Sequence, residues 1–562
     1  MPIQSPRPPV NFPTIDILTW IFDDETYQYD RSIPLFVSAL DPSRYLTGNG
    51  LRDVTMKIGH GLRELVGVKP GDVALCSSPN HLLYPAVVFG TICAGAIFSG
   101  ADPTYTAFEL SRQLQDCGAK VIFASAATLS VVRTCAAELS VPRSHIFLID
   151  GPKDGIRGIE DLLNFEGKDW QRLTTFREVV TTSGVLTYSS GTTGFPKGCE
   201  MTHWNMVSHS VSFIHSSYQK SARESRPEQP YIEPVVLTHI SLFRGLGIYL
   251  YMINSARLGH LTYIFEPPSL RDVLNAIPRF QINHLLITPS IAVLLVKSPF
   301  VKNFNLVSVK QVVCIGAPLG SEVALAVEQV LDPDGSKNLK LCQSWGLTEF
   351  GIAAAFDHGD WDDQTGRLAV GPLLASVEAK IVDEEGSEVV QGKHGEIWLR
   401  APFVFKGYWK NENATRETIT LDGWFKTGDI GKTDHRGFFY ITDRKKLNFH
   451  LLGVPVAPAE LEAILLSHPH VADAGVIGVP GNANDNYGGE DPRAYIVKSN
   501  PELTAASIHA WMARHLTHYK HLTGGIEFVD VVPKNGMGKV VRRNLRDRAA
   551  ESRTELTLMS RI

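Results

Sequence analysis

Short runs of apolar residues alternate with longer segments of helical periodicity through the first two thirds of the chain. Strands that alternate with helices predict parallel sheets covered by helices. The predicted strands are 71–76, 119–123, 145–149, 284–287 and 312–315, and the predicted helices include 85–94 and 290–297. This pattern predicts an α/β fold class for the large N-terminal part.

The pattern changes after residue 370, where short alternating segments are separated by turn residues. Strands predicted at 378–382, 395–400 and 437–442 indicate a small antiparallel β subdomain. A second α+β unit follows, with helices at 458–467 and 505–516 and strands at 472–479 and 493–497. The charged run 443–446 separates the two units, as an exposed linker does. We therefore expect domains at 1–442 and 443–562.

Length, charge and cysteine usage narrow the class of protein. The chain has 562 residues, and single cores stop growing at roughly 250–300 residues, so at least two domains are expected. The formal net charge of -5 shows no basic excess for nucleic acid. Seven scattered cysteines without a C-x-x-C spacing indicate reduced thiols. His239, Arg244 and Arg257 interrupt the apolar stretch 235–258, which predicts buried core and no membrane span.

The strongest chemical signal is the segment LTYSSGTTGFPKG at 186–198. Glycines let backbone N–H groups approach phosphate oxygens, hydroxyls add donors, and Lys197 adds a positive charge. Gly198 follows Lys197, so the segment is not a Walker A loop, which needs a Ser or Thr there. A flexible surface loop is the alternative for a run of this composition. The order of residues favours a phosphate-binding loop.

This segment resembles the phosphate-binding signature of the adenylate-forming superfamily, which includes acyl-CoA synthetases, 4-coumarate–CoA ligases and firefly luciferase. The resemblance extends from about Asp72 to Arg543. It implies a large AMP-binding domain that binds ATP and the acid, and a small mobile C-terminal domain that carries a catalytic lysine. The phosphate-loop residues that it implies as nucleotide contacts are Thr187, Ser189, Ser190, Gly191, Thr192, Thr193, Gly194 and Lys197.

A second motif, QSWGLTE at 343–349, is similar to the family pattern Q-G-Y-G-x-T-E. The resemblance implies that Trp345 stacks on adenine, Thr348 binds phosphate and Glu349 holds Mg²⁺. Gln343 and Gly346 complete the nucleotide contacts. A flat ring, a hydroxyl and a hard carboxylate suit base, phosphate and metal respectively. Alone, the segment is also compatible with the beginning of a helix.

Two later motifs complete the expected nucleotide site. In GWFKTGDIG at 423–431, the resemblance implies that Asp429 binds both ribose hydroxyls. A Gly-Asp turn before a strand is the alternative. Ile441, Arg444 and Lys446 extend the nucleotide site. In VPKNGMGKVVRR at 532–543, Lys539 matches the catalytic lysine that contacts the carboxylate and the α-phosphate, whereas a solvated basic surface is the alternative.

The sequence departs from the family at the hinge segment that follows Asp443. His450 and Leu452 replace two lysines of the coumarate-ligase pattern. In the family this face serves thioester formation, so the adenylation half is matched more completely than the thioester half. We keep His450 as a catalytic candidate, because an imidazole can donate a hydrogen bond or carry charge.

A second departure lies beside the acyl pocket. Thr238, Ile240 and Ser241 stand where relatives have a proline and an aromatic-histidine pair. The resemblance implies that Ser241 lines the acyl pocket with Gly316, Ala317 and Pro318, and the departure points to an unusual acid.

The leading hypothesis is an ATP-dependent acyl-CoA ligase that converts an aryl, cinnamoyl-like or fatty acid into an acyl-adenylate and transfers it to coenzyme A. The expected partners are the small acid, ATP with Mg²⁺, and CoA. A ligase that loads a carrier-protein pantetheine is an alternative, although no G-x-D-S serine follows residue 550. A luciferase-type oxygenase and a non-catalytic nucleotide-binding relative also remain open.

The last three residues, Ser560, Arg561 and Ile562, resemble the S-K-L peroxisomal address. This resemblance predicts recognition by a peroxisomal import receptor and a peroxisomal location, with the cytoplasm as the alternative.

Overall fold

The alternating strands and helices of the first two thirds form two largely parallel sheets. The structure, a computed structural model, describes residues 2–189, 195–218, 233–265, 269–356, 368–444, 449–451, 454–481, 490–534 and 540–559. The strands of the first sheet, in order of neighbours, are Gly407–Tyr408, Lys197–Thr202, Ser183–Ser189, Ile97–Ala101, Val73–Ser77, Ala119–Ala124, Ile146–Leu148 and Arg157–Gly158.

The second sheet has the same mixed character, with a parallel centre and an antiparallel strand at each edge. Its strands, in order of neighbours, are Gly351–Ala355, Leu341–Leu347, Gln311–Ile315, His284–Ile287, Val235–Thr238, Leu261–Ile264, Pro34–Ser38 and Tyr45–Thr47. The parallel α/β layers predicted from the alternating pattern are thus confirmed. The predicted strand 284–287 has these bounds in the structure.

Helices cover both sheets, and their ends carry the expected local signals. Thr47 accepts a hydrogen bond from the backbone N–H of Gly50 at one helix start, and Gly67 (φ 64°) ends that helix. The helical segments before residue 445 are Ile17–Phe22, Gly48–Val66, Tyr84–Cys93, Ala107–Cys117, Leu129–Glu138, Arg143–His145, Glu160–Leu163, Phe176–Thr181, His203–Tyr218, Gly247–Asn254, Ser255–Leu258, Leu270–Phe280, Pro289–Lys297, Val301–Asn303, Ser321–Leu331 and Glu412–Thr418.

The antiparallel subdomain is present as predicted, and its sheet contains three further strands that the sequence analysis did not predict, Ile3–Gln4, Gly371–Pro372 and Phe425–Thr433. Its strands, in order of neighbours, are Ile3–Gln4, Glu378–Val382, Gly395–Arg400, Phe425–Thr433, Phe438–Arg444 and Gly371–Pro372. The strand Ile3–Gln4 pairs with Glu378–Val382, which lies more than 370 residues later in the sequence. Two residues are too short for a periodic signal, so only the fold brings them into the sheet.

The chain packs into two compact units. The first contains Met1–Pro103, Leu110–Ser189 and Gly198–Lys445, and the second contains Thr104–Glu109, Ser190–Lys197 and Lys446–Ile562. In the second unit Val471–Pro480, Glu490–Lys498 and Ile526–Phe528 form one sheet, and Phe449–Leu451 pairs with Val454–Val456. Its helical segments after residue 445 are Pro458–Leu466, Ala505–His515, His518–Lys520 and Arg542–Met559.

The apolar stretch 235–258 is buried inside the first unit as a strand and a π-helical segment. Within the described ranges, no helix is both long enough and apolar enough to cross a membrane. All seven cysteines are free thiols, as predicted.

A buried ion pair ties the last helix to the sheet of the second unit. Arg542 Nη2 lies 2.6 and 2.7 Å from the two carboxylate oxygens of Glu462, and Arg542 Nε donates to the carbonyl of Val476. Glu462 Oε1 also accepts from the Val476 N–H. Loss of Arg542 would leave the largely buried Glu462 carboxylate with the Val476 N–H but without its counter-charge.

We predict that Arg542→Ala lowers the local free energy of unfolding of the second unit by about 3–5 kcal/mol, because Glu462 would stay buried without its partner. Arg548→Ala is the control, since the Arg548 side chain is 53% exposed beside Glu527 and such pairs contribute about 0–1 kcal/mol. Hydrogen exchange of the backbone amides in Val471–Pro480 measures the local free energy of unfolding in both variants. Equal loss of protection in the two variants would contradict the account.

Candidate nucleotide and acyl site

The strand Ser183–Ser189 leads directly into the predicted phosphate loop. Thr187 and Ser189 are buried; the Thr187 hydroxyl has no hydrogen-bond partner in the described structure, whereas the Ser189 side chain interacts with the Cys199 thiol. A buried hydroxyl without a partner costs stability unless a ligand or water satisfies it. The Thr187 hydroxyl is therefore suited to donate to a ligand near the end of this strand. Lys197 begins the neighbouring strand Lys197–Thr202.

Trp345 and Asp429 are joined by a direct hydrogen bond. Indole Nε1 of Trp345 donates to Oδ2 of Asp429 at 2.8 Å, and both side chains are buried. The Trp345 ring also lies nearly parallel to Phe439, with 6.5 Å between ring centroids. The bond fixes the orientation of the Asp429 carboxylate. Motifs 84 residues apart thus act as one unit.

Gln343 holds the loop that follows strand Gln311–Ile315. Its Oε1 accepts from the Leu319 N–H at 2.8 Å, and its Nε2 donates to the Leu319 carbonyl at 2.9 Å. The amide of Gln343 is thereby committed to the protein backbone. Gln343 positions the segment that contains the predicted acyl-pocket residues Gly316, Ala317 and Pro318. Gly316 has φ +105°, which a residue with a Cβ rarely adopts.

Gly346 is required by the hairpin that carries Glu349. A Cβ on Gly346 would lie 2.4 Å from the carbonyl oxygen of Gly351, so no larger residue fits without movement of the backbone. The hairpin register shifts between Trp345 and Gly346, which re-aims the strand end. The segment 341–347 is a strand, so the possible helix start in this motif is not observed. Thr348 follows the strand in the turn.

Tyr408 contacts the predicted metal-binding carboxylate. Its hydroxyl donates to Glu349 Oε1 at 2.9 Å. Burial, together with the negative charge of Glu349, raises the pKa of Tyr408 above its ordinary value, so the hydroxyl stays a donor. Burial also raises the pKa of the neighbouring Cys199 thiol, and Glu349 adds to that effect. Glu349 itself is only partly buried, which leaves carboxylate surface for a ligand.

Asn80 organises the segment that departs from the family. Its Nδ2 donates to the carbonyls of Thr238 and Ile240, and its Oδ1 accepts from the Leu242 N–H. Ser241 lies in this loop. Burial lowers the pKa of the adjacent His239 to about 4, so this imidazole is neutral near pH 7.

A cavity of about 120 Å³ that is partly open to solvent lies between the second sheet and two helical segments. Strands Gln311–Ile315 and Leu341–Leu347 supply Ile315 and Ser344 to its wall. Those residues immediately precede Gly316 and Trp345, which were predicted to bind substrate and nucleotide. The described lining does not include Ser241, Gly316, Ala317 or Pro318. The cavity therefore begins where the predicted pocket residues end and extends along the sheet.

Several predicted residues lie outside the described structure and stay predictions. Among backbone positions, Arg444 is the strand partner of Asp429 and Ile441 that of Gly431, which brings the two ribose motifs together. His450 pairs with Pro455 through its backbone. Outside the described residues or side chains are Ser190, Gly191, Thr192, Thr193, Gly194, Lys446, Lys539, Ser560, Arg561, Ile562 and the side chains of Arg444 and His450.

Sequence reasoning missed Tyr408 and Asn80 as residues that position the site. Neither belongs to a recognisable motif, because each acts through a contact made only in the fold. The sequence GYW at 407–409 gave no periodic signal, although a tyrosine between two apolar segments is a common position for a buried donor.

Two family models match the chain. The model "AMP-binding enzyme" matches residues 25–409, and "AMP-binding enzyme C-terminal domain" matches residues 460–539. The first match contains the phosphate loop, Trp345 and Glu349, and the second ends at Lys539.

Among the curated relatives, phenylacetyl-CoA ligase epaB of Aspergillus niger is 30% identical over 557 residues, covering 96% of this chain and 98% of the relative. A probable 4-coumarate–CoA ligase 3 of Dictyostelium discoideum is 32% identical over 539 residues, covering 92% and 93%. The solved amide bond synthetase McbA of Marinactinospora thermotolerans has the same fold, with a TM-score of 0.77, 24% identity and coverage of 95% and 99%. By its family models and its relatives, this chain belongs to the AMP-binding enzymes of the adenylate-forming superfamily.

Proposed function

We propose that the chain is an ATP-dependent acyl-CoA ligase. Its substrate is a carboxylic acid whose aryl or aliphatic part carries no charge. The enzyme activates the carboxylate as an acyl-adenylate and transfers the acyl group to CoA. One observation carries the proposal. The strand Leu341–Leu347 supplies Ser344 to the cavity wall and Trp345, bonded to Asp429, to the predicted nucleotide site. Acid and nucleotide would thus meet at the end of one strand.

The chemistry follows from that adjacency. In the first half-reaction a carboxylate oxygen bonds to the α-phosphorus of ATP, the bond to the bridging oxygen breaks, and pyrophosphate leaves. In the second, the thiolate sulfur of CoA bonds to the acyl carbon and AMP leaves. Negative charge develops on phosphate oxygens in the first step. The unpartnered hydroxyl of Thr187 is suited to donate to those oxygens.

Glu349 fits the role of a Mg²⁺ ligand. The described residues contain no cluster of three or more His, Cys, Asp or Glu that would form a protein cage. Mg²⁺ is usually held by one or two carboxylates together with substrate phosphates, which agrees with a single carboxylate fixed by Tyr408. Bound Mg²⁺ would supply neutralisation of phosphate charge.

The residues that line the cavity favour an acyl group without a charge. Its described lining contains no Asp, Glu, Lys or Arg. An amino-acid ammonium or a second carboxylate would be desolvated there without a full counter-charge, which is costly. Aryl, cinnamoyl-like and aliphatic acids remain, in agreement with the relatives' names.

The proposal is tested by ATP–pyrophosphate exchange with a panel of aryl, cinnamoyl, medium-chain and long-chain acids, followed by addition of CoA. We expect acid-dependent exchange and an acyl-CoA product. Absence of exchange with every acid would refute the proposal. Exchange without any acyl-CoA would favour a carrier protein as acceptor, an alternative that rests on the replacement of a hinge lysine by His450.

We predict that Asp429→Ala raises the Kd for ATP by about 10- to 100-fold, because a hydrogen bond to a charged group contributes about 1.5–3 kcal/mol. Trp345→Phe, which removes the indole donor and keeps a ring, should weaken binding in the same direction. Trp398→Phe is the matched control, since its Nε1 is buried and has no described partner. Calorimetry measures all three. If Asp429→Ala binds ATP with the affinity of the wild type, the ribose role is wrong.

We predict that Lys539→Ala slows adenylation by about 10²–10³-fold while ATP still binds, because one contact to developing charge is lost. Lys534→Ala is the control from the same segment, since Lys534 pairs with Asp473 at 2.8 Å on the surface. Pyrophosphate exchange gives the rate and calorimetry gives the affinity. An unchanged exchange rate in Lys539→Ala would show that Lys539 is not the catalytic lysine.

A further inference from the structure

An arginine outside all the predicted nucleotide motifs lies at the edge of the first sheet. Arg244 precedes the helical segment Gly247–Asn254, and its carbonyl accepts a hydrogen bond from the Ile248 N–H at 3.0 Å. On the other side, Asn80 Oδ1 accepts from the Leu242 N–H at 2.8 Å. Hydrogen bonds on both sides thus fix the backbone that carries this cation.

The backbone on either side of Arg244 lies against two neighbouring parallel strands of the first sheet. A Cβ on Gly100, in one strand, would lie 2.5 Å from the carbonyl oxygen of Phe243, so the two backbones touch. A Cβ on Gly245 would lie 3.8 Å from Cγ2 of Thr187, in the other strand. Arg244 stands between these two contacts and therefore lies where the connection crosses both strands.

The side chain of Arg244 is located by its contact with Asp102. Arg244 Nη2 donates to Asp102 Oδ2 at 3.4 Å, and Asp102 directly follows the first of the two strands. The strands pair with Ser99 opposite Leu186, and this register, continued to the strand ends, places Asp102 level with Ser189. Neighbouring strands lie about 4.8 Å apart. The guanidinium is therefore held at the carboxyl ends of both strands, beside the start of the predicted phosphate loop.

The contact with Asp102 leaves most of the guanidinium uncommitted. Charge-assisted hydrogen bonds are about 2.7–2.9 Å long, and Arg52 lies 2.6 Å from Asp23, whereas Arg244 lies 3.4 Å from its carboxylate. A guanidinium has five N–H donors, and the described residues accept from Arg244 only at Asp102. The Arg244 side chain is 34% exposed. Asp102 thus orients a cation that keeps donors for a second oxyanion.

We propose that Arg244 binds a phosphate group of a bound nucleotide at the carboxyl edge of the first sheet. The planar guanidinium matches two phosphate oxygens at once. The described lining of the cavity does not include Arg244, so the acyl group is not its partner. ATP and CoA both carry phosphates, and the inference rests on the proposed function for the choice of these two ligands.

The test compares ligands with and without phosphate on the full chain. Calorimetry measures the Kd of ATP and of adenosine, and the Kd of CoA and of pantetheine. We expect Arg244→Gln to raise the Kd of ATP, of CoA or of both by about tenfold, the effect of one hydrogen bond to a charged group. Adenosine and pantetheine should bind as they do to the wild type. The ligand that loses affinity is the source of the phosphate.

Three further variants separate binding from a structural role. Arg244→Lys should restore part of the affinity, because it keeps the charge and loses the fork. Asp102→Asn should retain or tighten phosphate binding, since it keeps an oxygen that accepts from Arg244 and removes the competing negative charge. Arg52→Gln is the matched control, because Arg52 is 33% exposed, pairs with Asp23 and lies 5.3 Å from the Trp170 ring centroid. It should change no affinity.

The inference is overturned if Arg244→Gln binds ATP and CoA with the affinity of the wild type. It is also overturned if adenosine and pantetheine lose as much affinity as ATP and CoA, or if Asp102→Asn or Arg52→Gln weakens binding as Arg244→Gln does. Failure of the proposed function looks different, because the wild type itself would then bind neither ATP nor CoA, and the inference would fail with it.

Discussion

Two hydrogen bonds between the side-chain amide of Gln343 and the backbone of Leu319, one accepted and one donated by the amide, hold the site together. They join the end of strand Leu341–Leu347 to the loop that leaves strand Gln311–Ile315. Parallel pairing already brings the carboxyl ends of these strands to one edge of the sheet. The amide then fixes the loop at that edge, so that the predicted acyl and nucleotide residues keep one geometry.

Other polar side chains near the Gln343–Leu319 contact are also positioned by hydrogen bonds to other elements of the fold rather than by their own strands. Trp345 bonds to Asp429 of the antiparallel sheet, and Glu349 accepts from Tyr408. Each bond fixes the orientation of one carboxylate. Pre-organised groups of this kind need little reorganisation when charge develops on a bound phosphate. The sheets thus hold the side chains that we expect to contact the nucleotide in fixed positions.

The fold class was predictable because its signals are local. Alternating apolar runs predicted the parallel layers, and the strand 284–287 was placed with its observed bounds. The strand Ile3–Gln4 was not predictable, since two residues carry no period and the pairing partner lies more than 370 residues away. The helix alternative for 343–349 also fails in the structure, because sheet pairing overrides the local propensity of this segment.

The predicted nucleotide residues come from motifs, whereas the residues that contact them in the structure belong to no motif. Gln343 was assigned to the nucleotide from its motif, yet its amide is bonded to Leu319. Asn80 and Tyr408 act through contacts between residues distant in the chain, which leave no pattern in the sequence. The roles of Lys539 and His450 remain predictions from resemblance.

The central claim is that a carboxylate attacks the α-phosphorus of ATP. Incubation of the protein with ATP, CoA and an accepted acid labelled with ¹⁸O in its carboxyl group tests it directly. Mass spectrometry of the products should find one labelled oxygen in AMP and none in pyrophosphate, because the bond that breaks in the second step is that between the acyl carbon and this oxygen. Unlabelled AMP, or label in pyrophosphate or inorganic phosphate, would contradict the account.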